Sequence, residues 1–252
     1  MSSKGKIICN LNDCPICLDK LDHDNIRLLC CGNKFHKKCI DMVRLKCAQQ
    51  TCPMCRAQLP DSPEELYNKG RKVFLSIWDN LDNKDSFQLN SDQMNLIENI
   101  INIWEDASNQ GNSSAQNSLG EIYYIGFGVE KDYDKAVRLT EESAKQGNVY
   151  AQYNLGLMYK NVYKDYLKSK ELFEKAAYQN SLLAQYELGV LYNEGLGVKK
   201  NFKKAFEYWT HAAEDGNKKS MLCLGKMYEN GNGVEKDFNK AIMWYKKTNG
   251  LS

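Results

Sequence analysis

Nine of the ten cysteines fall between Cys9 and Cys55, and most stand at spacings that suit a metal ion. The ordered set is Cys14-Pro-Ile-Cys17, then Cys30-Cys31-Gly-Asn-Lys-Phe-His36-Lys-Lys-Cys39, then Cys52-Pro-Met-Cys55-Arg56. Structural zinc takes four tetrahedral sulfur or nitrogen ligands, and a Cys-x-x-Cys loop supplies two from one turn. Three ligand pairs plus the adjacent Cys30 and Cys31 make eight donors, enough for two closed sites. A closed site keeps no position for water or substrate, so both ions are expected to be structural. They would fold a segment of about 50 residues that is too short to build an adequate core. Cys9, Cys47 and Cys223 read as ordinary thiols, His23 as a surface loop residue and His211 as a packing residue in a helix.

The elements around this module are helical. Ser62 suits an N-cap, Pro63 a first helical position, and Glu64 and Glu65 complement the helix dipole. An apolar face then recurs at Leu66, Gly70, Val73, Phe74, Ile77, Trp78 and Leu81. After a polar break comes a second stripe: Leu96, Ile97, Ile100, Ile101, Ile103, Trp104 and Ala107. From Ala115 onward the sequence repeats itself. First helices are expected to start at Ala115, Ala151, Ala184 and Ser220, in steps of 36, 33 and 36 residues. A Leu-Gly pair recurs at 119–120, 155–156, 188–189 and 224–225, followed by Tyr123, Tyr159, Tyr192 and Tyr228. Gly-x-Gly-Val follows in three units, at 126–129, 195–198 and 231–234. The second unit lacks it and is three residues short there. Then come Asp132, Asp165, Asn201 and Asp237, expected to cap the second helix, and Lys135, Lys168, Lys204 and Lys240. One such helix pair cannot bury its own apolar face, so neighbours must stack.

These columns resemble the Sel-one-like branch of the tetratricopeptide superfamily, over roughly residues 115–250. Residues 61–112 look like a degenerate leading repeat, because Ala107-Ser-Asn-Gln-Gly111-Asn echoes Ala144-Lys-Gln-Gly147-Asn. The cysteine-rich segment, residues 1–60, resembles the RING finger. That resemblance implies an interleaved cross-brace, with Cys14, Cys17, His36 and Cys39 on one zinc and Cys52, Cys55 and the Cys30/Cys31 region on the other. Asn33 stands where the family usually places a histidine. Either Cys30 and Cys31 both ligate, or Cys31 ligates alone beside a weaker fourth ligand. The implied fold is a small zinc-bound α+β domain followed by an all-α solenoid, the four repeats spanning 113–252.

The RING resemblance also implies a function. Ile16, Val43 and Pro53 fall at positions that contact a ubiquitin-conjugating enzyme, and Arg56 at that of a linchpin bridging the enzyme and ubiquitin. Val43 is smaller than the tryptophan often found there. The chain is thus expected to be a RING-type ubiquitin ligase holding two structural zinc ions. Its partners would be a conjugating enzyme, ubiquitin and an unidentified protein bound by the repeats. The alternative is a non-enzymatic scaffold in which both modules only bind proteins.

Composition bounds these readings. The formal charge is +2 and no basic stripe accompanies the cysteines, which argues against nucleic acid as a partner. No apolar stretch approaches the ~20 residues of a membrane span. MSSKGKIICN has no apolar signal region, so an intracellular address is expected. Abundant Asn, Lys, Ile and Tyr suggest an AT-rich genome, and chains joining these two modules resemble proteins of giant DNA viruses.

Overall fold

The computed structural model of the chain describes residues 25–27, 34–36, 39–40, 61–79, 81 and 89–250. The chain divides into two compact units, Met1–Glu65 and Leu66–Ser252. In the first, strands β1 (Asn25–Arg27) and β2 (Lys34–His36) pair antiparallel, with Asn25 opposite His36 and Ile26 opposite Phe35. Cys39 and Ile40 follow in buried helical backbone.

The second unit is a run of helical hairpins. Helix α1 (Pro63–Asp79) is followed by α2 (Ser91–Asn109), α3 (Ser113–Ile125) and α4 (Tyr133–Lys145). Then come α5 (Val149–Met158), α6 (Tyr166–Tyr178), α7 (Leu182–Glu194), α8 (Phe202–Glu214), α9 (Lys218–Asn230) and α10 (Phe238–Thr248). No described helix is long and apolar enough to cross a membrane.

Capping shows why each helix starts where it does. Ser62 and Glu65 form a reciprocal box at α1: Ser62 N donates to Glu65 Oε2 at 2.7 Å, and Glu65 N to Ser62 Oγ at 3.2 Å. Asp132, Asp165, Asn201 and Asp237 each accept a backbone N–H from the lysine three residues on, at 2.8–3.1 Å. The first helices of the repeats start two residues earlier than the alanine column suggests, because Asn112, Asn148, Ser181 and Asn217 cap them. Small capping residues satisfy backbone donors that the helix itself leaves unpaired.

The glycine column lets the two helices of a hairpin meet. A methyl group on Gly189 would collide with the Trp209 indole, whose Nε1–H donates to Tyr186 O at 3.0 Å. The same contact recurs in the leading hairpin, where Gly70 lies under Trp104 and Trp104 Nε1–H donates to Tyr67 O at 3.0 Å. Ile97, Ile100, Ile103 and Trp104 thus stand at the same spacing as Phe202, Ala205, Tyr208 and Trp209. Gly128 packs on Ile97 as Gly233 packs on Phe202. Helix α2 carries about one and a half extra turns ahead of that register. Leu96, expected in the buried stripe, therefore stands one residue before the packed face and is exposed. Gly189→Ala is expected to destabilise the array by about 1–3 kcal/mol, the overpacking cost exceeding the helix-propensity gain. Urea unfolding checks this.

The lysine and tyrosine columns, separate in the sequence, meet in space. Lys135, Lys168, Lys204 and Lys240 hold their ammonium groups 4.1, 5.0, 4.9 and 5.4 Å from the ring centres of Tyr123, Tyr159, Tyr192 and Tyr228. Each such cation–π pair contributes about 0.5–1 kcal/mol at an exposed site. The unit without Gly-x-Gly-Val reverses differently. Its first helix runs on into a π turn, Tyr159–Tyr163, and Lys164 takes the left-handed conformation at φ 56°. Tyr163 Oη–H donates to Asp134 Oδ1 at 2.9 Å, which ties this turn to the preceding unit and offsets the strain.

Candidate functional site

Of the residues expected to hold metal, His36 and Cys39 fall among those described. His36 closes β2 opposite Asn25. Cys39 is 4% exposed and Ile40 fully buried. Burial of the Cys39 thiol suits a structural zinc ligand. Cys14, Cys17, Cys30, Cys31, Cys52 and Cys55 lie outside the described residues, as do Ile16, Asn33, Val43, Pro53 and Arg56. Cys9, His23 and Cys47 lie outside them too.

Two residues set aside from the metal set are described. His211 is exposed on α8 and so does not pack in the core, contrary to expectation: the helix turns its alanines, Ala212 and Ala213, inward instead. Cys223 is half-buried on α9, and burial pushes its thiol up to about 11, which keeps it protonated and unreactive at neutral pH.

The repeat array supplies a second candidate site. A cavity of about 460 Å³ is bounded by the first helices of three successive hairpins, α1, α3 and α5. Its α1 wall carries Tyr67, Phe74 and Trp78, positioned by ring contacts to the core. The Phe74 ring centre lies 5.7 Å from that of Trp104 and 5.5 Å from that of Phe127. From α3 come Tyr124, Ile122 and Glu121, and from α5 come Asn154, Leu157 and Met158. Asn154 Nδ2 donates to Glu121 Oε1 at 2.9 Å and to Asn117 Oδ1 at 3.1 Å. Partial desolvation by the neighbouring helices raises the Glu121 pKa, although the residue stays exposed, and the bond from Asn154 opposes part of that rise. Volume and lining are those of a binding pocket: mostly apolar walls with a few placed polar groups. Sequence reasoning missed Glu121 and Asn154. The available signal was the surplus of aromatics on α1, more than one helix seam needs.

The next acid along is handled differently. Glu187, on α7, is buried and pairs with Lys160 Nζ of the π turn at 2.6 Å. Gln152, also buried, accepts from Gln179 at 2.8 Å. Both of these polar groups are thus closed by the array itself.

Comparison with known proteins assigns both halves. Residues 12–56 match the family model of the Ring finger domain. The Sel1 repeat matches four times, at 113–148, 149–181, 182–217 and 219–248, which together make more than half of the chain. Over 51 residues the chain is 43% identical to the E3 ubiquitin-protein ligase znrf3 of Danio rerio, covering 20% of this chain and 6% of that protein. Over 59 residues it is 43% identical to the E3 ubiquitin-protein ligase ATL4 of Arabidopsis thaliana, covering 23% of this chain and 17% of that one. The chain therefore spans only a small part of these relatives. Among solved structures, the protective antigen c5321 of uropathogenic Escherichia coli, which displays an SLR fold, is similar with a TM-score of 0.63 at 30% identity. That likeness covers 75% of this chain and 38% of the antigen. A Sel1 repeat protein from Oxalobacter formigenes aligns with a TM-score of 0.55 at 32% identity, over 72% of this chain and 69% of that one. An all-α repeat solenoid is the fold these likenesses share.

Proposed function

The chain belongs to the Sel1 repeat family, and from the ring finger joined to its repeats we propose that it is a RING-type ubiquitin-protein ligase that recruits a protein on the array. The supporting observation is the ring finger match itself, which runs from residue 12 to Arg56 over a stretch shared with proteins named as E3 ubiquitin-protein ligases. An intracellular address belongs to the same proposal.

In this reading Cys14, Cys17, His36 and Cys39 hold one zinc ion, and Cys52, Cys55, Cys30 and Cys31 a second. Filled by protein ligands, the ions supply tetrahedral cross-links and no chemistry. Ile16, Pro53 and Val43 form the apolar surface that docks the conjugating enzyme. The reaction needs no nucleophile on this chain. A lysine amine of the target attacks the carbonyl of the ubiquitin thioester on the conjugating enzyme, an isopeptide bond forms and the enzyme's thiolate leaves. The ligase contributes orientation, because a flexibly tethered ubiquitin spends little time in an attack-ready pose. Arg56 suits this role because its planar guanidinium donates to carbonyls on two partners at once.

A direct assay combines purified chain, ubiquitin, activating enzyme and a panel of conjugating enzymes. Ubiquitin chains are expected to form with the wild type and to disappear with Ile16→Ala or Arg56→Ala, while zinc content stays at two per chain. Equal activity in both variants would rule out this docking surface. The small Val43 and the Asn33 departure favour one second reading, a scaffold without ligase activity. Inactivity with every conjugating enzyme, together with tight binding of a protein by the array, would establish it.

A further inference from the structure

Glu121 is the charged side chain of the first repeat's leading helix that borders the cavity. Its Oε1 accepts from the neutral amide of Asn154 at 2.9 Å, and among the described residues Oε2 has no donor. No described lysine or arginine pairs with it. Glu121 is itself exposed, at the edge of walls that are mostly apolar and aromatic, so its charge lies beside the cavity and free to meet a guest. The same chain shows the alternative two repeats on, where Glu187 meets Lys160 at 2.6 Å. Positions equivalent to Glu121 in the later units are Leu157, Val190 and Lys226. An acid here is thus neither demanded by the repeat nor neutralised by it.

The cavity that holds Glu121 is open and about 460 Å³ in volume, room for a few side chains. Arg71, the other charged side chain lining it, sits exposed on α1 and makes no ion pair among the described residues. Leu75, beside it on α1, is 40% exposed. An occupant must therefore bring apolar surface for the walls and a positive charge for the acid. A lysine or arginine side chain has both: its hydrocarbon stem packs on apolar surface while the head remains polar. Aromatic faces add attraction for the cation.

We infer that the cavity between α1, α3 and α5 receives a short apolar segment of a protein partner carrying one lysine or arginine. Its stem lies against Phe74, Trp78 and Tyr124, and its cation pairs with Glu121. The inference rests on the reading that the repeats dock a protein, and it names where and by what chemistry. Asn154 is a positioning residue: its amide fixes Oε1 and leaves Oε2 to the guest.

A library of random twelve-residue peptides, displayed on phage and selected on the full-length chain, tests this. Selected peptides are then synthesised and titrated by fluorescence polarisation against the wild type, Glu121→Gln and Leu222→Asp. Glutamine keeps the shape and can still accept from Asn154, so folding is preserved. Leu222 lies exposed on α9, away from the cavity. The expected peptides carry a lysine or arginine next to leucine or an aromatic. Glu121→Gln weakens their binding at least tenfold, alanine at the peptide's basic residue does the same, and the two changes together cost little more than either. Leu222→Asp leaves binding unchanged. Peptides that bind the wild type and Glu121→Gln equally, or that are acidic and depend on Arg71, would overturn the inference. Binding lost only in Leu222→Asp would overturn it too, while sparing the broader docking reading. Selection of no peptide at all would remove both. A dimer of the chain that dissociates on Glu121→Gln would make a second copy the occupant, against the partner assigned here.

Discussion

Removing zinc is expected to abolish ubiquitin transfer while leaving most of the helical circular dichroism in place. A segment the size of residues 12–56 buries too little apolar surface to fold without cross-links. Metal binding is then folding free energy, on the order of 10–16 kcal/mol for a structural zinc site near neutral pH. The array has its own clusters of buried side chains, among them Ile97, Trp104, Leu119 and Phe127 in one and Trp209, Leu224 and Trp244 in another. Its helices should survive chelation. Two zinc ions per chain should be released, as measured by elemental analysis, and activity should return when zinc is restored under reducing conditions. Because thiolate ligands must stay deprotonated, acid should release the metal as well. Ligase activity in fully zinc-free protein would refute the mechanism, and so would cysteines joined as disulfides in the native chain.

Trp209→Ala carries the largest expected cost in the array, about 3–5 kcal/mol. The indole is 3% exposed, lies on Gly189 and donates to Tyr186 O. Truncation leaves a cavity between α7 and α8 and removes the indole's hydrogen bond to Tyr186 O, and a backbone glycine cannot move in to fill the space. Stability in a stacked array is a sum of unit and neighbour terms, so the loss should be felt at both interfaces of the third repeat. Thermal unfolding should broaden or split, with the last two repeats melting first. Trp104→Ala should cost a similar amount and loosen the leading hairpin, since it makes the same contact on Gly70. A drop below about 1 kcal/mol in either variant would mean that these seams relax far more than their packing suggests.

Much of the array was legible because each unit solves the same local problem. A helix needs a cap, a close crossing needs glycine, and a tight reversal needs glycine again, so the answers recur every 33–36 residues. Ser62, Pro63 and Glu65 marked a helix start that the hydrogen bonds place as read. The ring finger was legible for a related reason, since the spacing of its cysteines and histidine is what the family shares. Errors came where a local rule met a tertiary constraint. The alanine column marks packing and not the start of a helix, so the helices begin two residues earlier. Leu96 continued an apolar stripe but stands ahead of the face that packs on Gly128.

The sequence alone therefore determined the modules: a ring finger, a helical hairpin, and four repeats with their caps and glycines. Only the tertiary structure decided which columns face each other, setting each lysine over a tyrosine 9 or 12 residues before it. It also decided the fates of two similar glutamates. Glu187 closes on a lysine carried by a π turn, and Glu121 opens into an aromatic cavity built from three helices distant in the chain. Local preferences act over a few residues, whereas solvation of a carboxylate depends on whatever the fold brings beside it.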